Sequence, residues 1–337
     1  MTTSSTLSSE QLVESMFKNL SDEDIKSTFI KIVAQHQNPD MGSTLDSQIL
    51  PQGKVVNRPI PKAKVIPVIS SDALVGDATY TRPNGEKYHA RKWGEHDDVQ
   101  VLRKAREMNQ YILLYGSPGC GKTALVEAAF EDVISVLGTG DTELADFIGS
   151  YIQTPSGGFL WEDGPLVKAA EQGRPFFIDE VGLIDPKVMA GVYGLMDGRG
   201  ELIITANPER GTVKAKEGFY VVAATNPNAP GVRLSEALLS RFVVQAEMST
   251  DFSLAKKLGA SQQAVTAAQN LTRRQQSGEC GWAPQMRELL AFRDISKTFG
   301  TKFAVANLIA TAPELDRPVV ADVMARISGE ECRPAKI

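Results

Sequence analysis

Residues 111 to 123 run from the apolar stretch Tyr-Ile-Leu-Leu-Tyr straight into Gly-Ser-Pro-Gly-Cys-Gly-Lys-Thr, which has the spacing G-x-x-x-x-G-K-[ST]. Its context restricts the fold: a buried strand is expected at the apolar stretch, and a helix from Thr123 to about Val136. Gly116, Gly119 and Gly121 free the backbone to curl round an anion. Several N–H groups of the loop, and the start of the helix behind it, then point at phosphates. Lys122 supplies a point charge to the β and γ phosphates, and Thr123 a hydroxyl to Mg²⁺. The expected nucleotide-binding set is therefore Gly116, Ser117, Pro118, Gly119, Cys120, Gly121, Lys122, Thr123 and Ala124, with a nucleoside triphosphate and Mg²⁺ as the ligands.

The 337 residues leave room for two domains and an extension, and a composition of 42% hydrophobic and 23% charged residues is that of a soluble globular protein. A net charge of −5 speaks against a wholesale basic footprint for nucleic acid, while leaving room for a local patch. Cys120, Cys280 and Cys332 are too few and too scattered for a disulfide framework or a zinc site, so a reducing compartment is expected. The stretch Met1 to Glu10 lacks the basic and apolar regions of a signal peptide. No apolar run reaches the length of a bilayer span, and a cytoplasmic location with no membrane partner follows.

Along the chain, Glu10 to Gln35 carries apolar residues at the spacing of one or two short amphipathic helices, with Ser21 as an N-cap. This segment is taken as residues 1–37. Residues 38–76 are rich in Pro, Gly and polar side chains and read as a linker. Residues 77–96 read as a hairpin turning at Asn84-Gly85, in which Arg82, Lys87, His89, Arg91 and Lys92 interleave with Tyr80, Tyr88 and Trp93. Such a hairpin either contacts a nucleic-acid strand or docks on the core or a neighbouring subunit. From residue 97 to 250, strand candidates at Phe176 to Ile178, Leu202 to Thr205 and Tyr220 to Ala224 alternate with helices, which predicts an α/β domain with a mostly parallel sheet. From 251 to 337 the strands stop. Helices are expected at Phe252 to Gln276, Pro284 to Phe299, Thr301 to Thr311 and Arg317 to Ile327.

Three further patterns bear on chemistry. The apolar run Pro-Phe-Phe-Ile ends in Asp179 and Glu180. Read alone this is a solvated strand end; downstream of a phosphate loop, Asp179 is placed to hold Mg²⁺ through its water shell and Glu180 to align or deprotonate an attacking water. The run Tyr-Val-Val-Ala-Ala-Thr ends in Asn226, read alone as a turn signal, and in this order as an amide bonding the lytic water and the γ-phosphate. Arg233 and Arg241 bracket a short helix after the last strand candidate. They are either solvated or, supplied by a neighbouring subunit, able to stabilise charge on a transferring phosphoryl group.

Taken together, the phosphate loop, Trp-Glu-Asp-Gly-Pro-Leu-Val-Lys-Ala-Ala-Glu-Gln-Gly (161–173), Phe-Phe-Ile-Asp-Glu, Ala-Thr-Asn-Pro-Asn and Leu-Ser-Glu-Ala-Leu-Leu-Ser-Arg-Phe resemble the MoxR-like AAA+ ATPases, a group that includes the CbbQ and gas-vesicle GvpN proteins. The resemblance covers roughly residues 95 to 300. It implies a P-loop AAA+ core with a helical lid, a ring that is usually hexameric, and ATP-driven, chaperone-like remodelling or activation of a protein client. It marks Lys122 and Thr123 as Walker A, Asp179 and Glu180 as Walker B, Asn226 as sensor 1 and Arg241 as the arginine finger. Arg233 is marked as a second trans-acting arginine, and Arg287, in a lid helix begun by Pro284, as sensor 2.

Two insertions fit the same group. A hairpin around Ser156-Gly-Gly-Phe159 carries Phe159 or Trp161 towards a central pore or into ordinary packing, and a second, Glu201 to Phe219, has a basic loop at Arg210, Lys214 and Lys216. The competing functions are a nucleic-acid motor on the same fold and a slow nucleotide switch.

Overall fold

The computed structural model describes residues 78–335, so the N-terminal helices and the linker expected before residue 77 lie outside the described residues. Three continuous apolar runs form the middle of a five-stranded, all-parallel sheet: Ile112–Tyr115, Tyr220–Thr225 and Pro175–Asp179. Strands buried on both faces need no polar alternation, which is why these segments read as unbroken hydrophobic stretches. Phe176, Phe177, Ile112, Leu114 and Tyr220 are fully buried. Each contributes about 1.5–3 kcal/mol relative to exposure.

The two outer strands are Val244–Glu247 and Ile134–Leu137, giving the spatial order Val244–Glu247, Ile112–Tyr115, Tyr220–Thr225, Pro175–Asp179, Ile134–Leu137. Here the structure departs from the sequence reading. The helix after the phosphate loop is Lys122–Ala129 and does not continue to Val136. Phe130 turns extended at φ −135° and its β-branched sequel becomes the edge strand. Likewise the helix Glu236–Leu239 precedes the last strand rather than following it.

The candidate strand at Leu202 to Thr205 is not in this sheet. Glu201–Ile203 pairs antiparallel with Thr212–Lys214 as a separate hairpin. A second hairpin joins Gly149–Gln153 to Phe159–Asp163, and a third joins Thr79–Thr81 to Lys87–His89 through the Asn84-Gly85 turn. Beyond the sheet the regular elements among the described residues are all helices: Phe252–Lys257, Gln262–Gln276, Met286–Phe299, Thr301–Thr311 and Arg317–Ser328. The single helix expected from Phe252 to Gln276 is broken at Gly259, which has φ +86°. One core runs from Tyr88 to Met248 and a second, within the helices, from Ala255 to Met324. Among the described residues no helix is long and apolar enough to cross a membrane.

Candidate functional site

The order of the sheet brings three strand ends together. Ile112–Tyr115 lies beside Tyr220–Thr225, which lies beside Pro175–Asp179, so the phosphate loop, Asn226 and the Asp179-Glu180 pair all leave the same edge. The first and fourth strands in chain order are neighbours here, a topological switch point of the kind that opens a crevice at the carboxyl edge of a parallel sheet.

The loop is held from several sides. The Gly116 N–H donates to the Thr225 carbonyl at 3.2 Å, and a side chain at Gly116 would put its Cβ 2.1 Å from the Met248 carbonyl oxygen. Gly121, at φ +100°, is the N-cap of the helix Lys122–Ala129. Lys122 is 6% exposed, and its ammonium donates to the carbonyls of Gly116 (2.7 Å) and Ser117 (3.2 Å). The Thr123 hydroxyl donates to the Asp179 carboxylate at 2.8 Å.

Glu180 takes the left-handed backbone, φ 51° and ψ 41°, an unfavourable conformation for a residue with a Cβ, and its carboxylate accepts the Asn226 N–H at 3.2 Å. The Asn226 side chain accepts from the Asn228 N–H at 3.2 Å, so the amide also organises the turn that follows it.

The three arginines differ. The Arg287 N–H donates to the Gly119 carbonyl at 3.3 Å, which sets the first turn of the helix Met286–Phe299 against the phosphate loop. That helix begins at Met286, two residues after Pro284, on a capping box of Gln285 and Glu288. The Thr250 hydroxyl pins it by donating to Gln285 and accepting from the Met286 N–H. Arg233 is exposed, and its backbone N–H donates to the Gly182 carbonyl at 2.6 Å. Arg241 is half-buried, donates to the Ala237 carbonyl at 2.7 Å, and lies over the Tyr193 ring at 3.9 Å.

Arg91, in the segment expected either to contact a nucleic-acid strand or to dock on the core, grips the site from behind. Its guanidinium donates to the Cys120 carbonyl (2.9 Å) and the Ser249 carbonyl (3.1 Å), and lies 3.8 Å from the buried Asp98 carboxylate. The Tyr88 hydroxyl donates to the same carboxylate at 2.5 Å. Burial raises the Asp98 carboxyl above its usual range and pushes the Tyr88 phenol up as well. Arg82 pairs with Glu127 on the helix behind the loop. The basic-aromatic pattern is the signal from which this docking could be read. A cavity of about 860 Å³ is lined by Arg91, Trp93, Leu125, Met248 and Leu254 among others, and so adjoins the helix that follows the loop.

In the first insertion Phe159 is exposed, whereas Trp161 is half-buried and donates to Asp163. The basic loop of the second is largely neutralised. Arg210, aimed by the buried Asn207 whose side chain accepts its N–H, engages both Asp163 and Glu171, and Lys214 pairs with Glu201.

Residues 111–242 match the family model for the AAA domain (dynein-related subfamily). Midasin of Giardia intestinalis is 33% identical over 150 residues, 42% of this chain and 3% of that protein. An uncharacterized protein of Staphylococcus aureus is 33% identical over 168 residues, 46% of this chain and 63% of its own. The chain thus spans less than two thirds of the length of either relative. The crystal structure of NtrX from Brucella abortus aligns at 16% identity and a TM-score of 0.40, over 70% of this chain and 51% of that one. Residues 111–242 are thus similar in sequence to the AAA domain, and they carry a phosphate-loop motif on a parallel sheet flanked by helices.

Proposed function

We propose that the chain is an ATP-hydrolysing, MoxR-like AAA+ protein with its ATPase core over residues 97–250 and its lid over 251–337, working as a ring, of the hexameric kind usual for such proteins, to remodel or activate a protein client in the cytoplasm. The observation that carries the reading is the 2.8 Å contact between Thr123 and Asp179, with Glu180 beside it at the same sheet edge. One hydroxyl and one carboxylate are the modest donor set that suits Mg²⁺, which keeps most of its water and takes its remaining ligands from phosphate. When bound, the ion neutralises charge on the β and γ phosphates.

The protein's own groups do the rest. Lys122 exchanges its two loop carbonyls for phosphate oxygens. Glu180, fixed by the Asn226 N–H, accepts a proton from water as the water oxygen bonds to the γ-phosphorus. The bond from that phosphorus to the bridging oxygen breaks, and its electron pair leaves on ADP. Asn226 bonds water and γ-phosphate and so registers phosphate release. Arg287 stands where a lid helix meets the loop, and Arg241, with Arg233 as a second candidate, serves the site of the next subunit. A nucleic-acid motor remains the alternative on this fold, but Arg82 and Arg91 of its expected contact are turned inward.

Glu180→Gln is the test. It is expected to bind ATP normally, to turn over at least about 100-fold more slowly, and to retain a client in a pull-down with ATP. Turnover at the wild-type rate would remove Glu180 from the chemistry.

A further inference from the structure

Arg241 is held in an unusual way. Its guanidinium carbon lies 3.9 Å from the centre of the Tyr193 ring, well within the range of a cation–π contact, and one nitrogen donates to the Ala237 carbonyl. Its Nε is buried without a hydrogen-bond partner among the described residues, as is the Tyr193 hydroxyl. The nearby carboxylate, Asp197, is occupied by Arg199, whose guanidinium donates to both of its oxygens. Among the described residues Arg241 makes no direct ion pair, Asp197 acting on it only from a distance, in contrast to Arg82, Arg210 and Arg274, each of which has an ion pair. A contact that leaves two buried polar atoms unsatisfied contributes poorly to stability.

Tyr193 itself lies on the helix Pro186–Met196, which starts six residues after Glu180 through the short turn Val181–Leu183. The Gly182 carbonyl of that turn accepts the Arg233 N–H, so the segment leading to Arg241 is attached to the same turn.

We infer that Tyr193 is the positioning residue for Arg241: its ring face pre-orients the guanidinium for the phosphates bound by a neighbouring subunit. Through its helix, the stack joins the hydrolytic strand of one subunit to the arginine it presents to the next. The inference rests on the proposed trans role of Arg241, and the test separates the two.

Subunits carrying Arg241→Ala, whose own Glu180 is intact, are mixed with Glu180→Gln subunits, which cannot hydrolyse but can donate Arg241. Restored ATPase is expected from this mixture. No restoration overturns the trans role, and the inference with it. Given restoration, Glu180→Gln subunits that also carry Tyr193→Leu are expected to restore about tenfold less, with kcat falling and KM for ATP unchanged. Tyr193→Phe, which keeps the ring and removes only the hydroxyl, is expected to restore within about twofold. Should the leucine subunit lose its own ATP binding, Tyr193→Met replaces it, because methionine fills the volume without a ring face. Equal restoration by ring-less and ring-bearing donors overturns the role of Tyr193 while leaving the trans arginine standing.

Discussion

Replacing Arg91 by methionine keeps the aliphatic stem and removes the charge that ties the N-terminal hairpin to the phosphate loop. Two donations to backbone carbonyls are lost, at Cys120 and Ser249. Charge-assisted bonds contribute about 1.5–3 kcal/mol each, and the lower end applies to carbonyls that can relax towards water, so the pair comes to about 3 kcal/mol. Asp98 also loses a cation 3.8 Å away, but keeps the Tyr88 hydroxyl and the N–H groups of Arg91 and Val99. This adds about 1 kcal/mol, well short of the cost of stranding a buried charge entirely. The total of about 4 kcal/mol predicts a melting midpoint lower by roughly 10 °C in calorimetry. ATP affinity should fall as well on the proposed function, because the freed carbonyl lies between Gly119 and Gly121 of the phosphate-loop motif. In a double-mutant cycle with Asp98→Asn, the coupling should be about 1 kcal/mol. An Arg91→Met protein with unchanged melting and unchanged nucleotide affinity would refute the idea that this arginine braces the loop.

Two further perturbations probe neighbouring parts. Gly116→Ala drives a methyl to within 2.1 Å of a carbonyl that is itself held by the Met248 N–H bond to Tyr115. It should cost about 2–3 kcal/mol in denaturant unfolding and weaken ATP binding, whereas Gly140→Ala, with open space around it, should stay within about 0.5 kcal/mol; equal effects would sink the packing argument. The bond from Arg210 holds the Asp163 carboxyl below the usual carboxylate range. A depressed folded value means stability that is present above the unfolded value, about 4, and lost as pH falls through the folded one. Asp163→Asn should therefore flatten the pH dependence of stability in that acid window, and parallel curves for the two proteins would disprove it.

The sequence was readable where a segment's environment is uniform. Tyr-Ile-Leu-Leu-Tyr, Pro-Phe-Phe-Ile-Asp and Tyr-Val-Val-Ala-Ala-Thr are buried on both sides, so their apolar runs announce central strands. The edge strands Ile-Ser-Val-Leu and Val-Gln-Ala-Glu alternate between half-buried and exposed over only four residues. The first continues the apolar spacing of the helix before it, since Val126, Phe130 and Val133 keep a helical period. The break lies in the backbone of Phe130. At the site, the phosphate loop is legible because its chemistry is local in the chain. The bond from Arg91 to Ser249 closes a separation of 158 residues, and no spacing rule reaches that far. Arg287 meets the loop through its backbone N–H, a contact any residue but proline can make, so residue type alone could not mark it.

The three-way contact of Arg210 with Asp163 and Glu171 also bears on how such a chain can diversify. Asp163 closes one hairpin, Glu171 sits on the helix that follows, and Arg210 belongs to the loop of the other hairpin. Exchanging the second hairpin alone with a relative strands two acids at a half-buried junction, and exchanging the first leaves Arg210 with Glu171 as its one partner there. Viable crossover points therefore fall before residue 163 or after residue 210. Asp179 and Glu180 lie between those limits, so a crossover that keeps the contact whole moves the strand Pro175–Asp179 together with Asp163, Glu171 and Arg210.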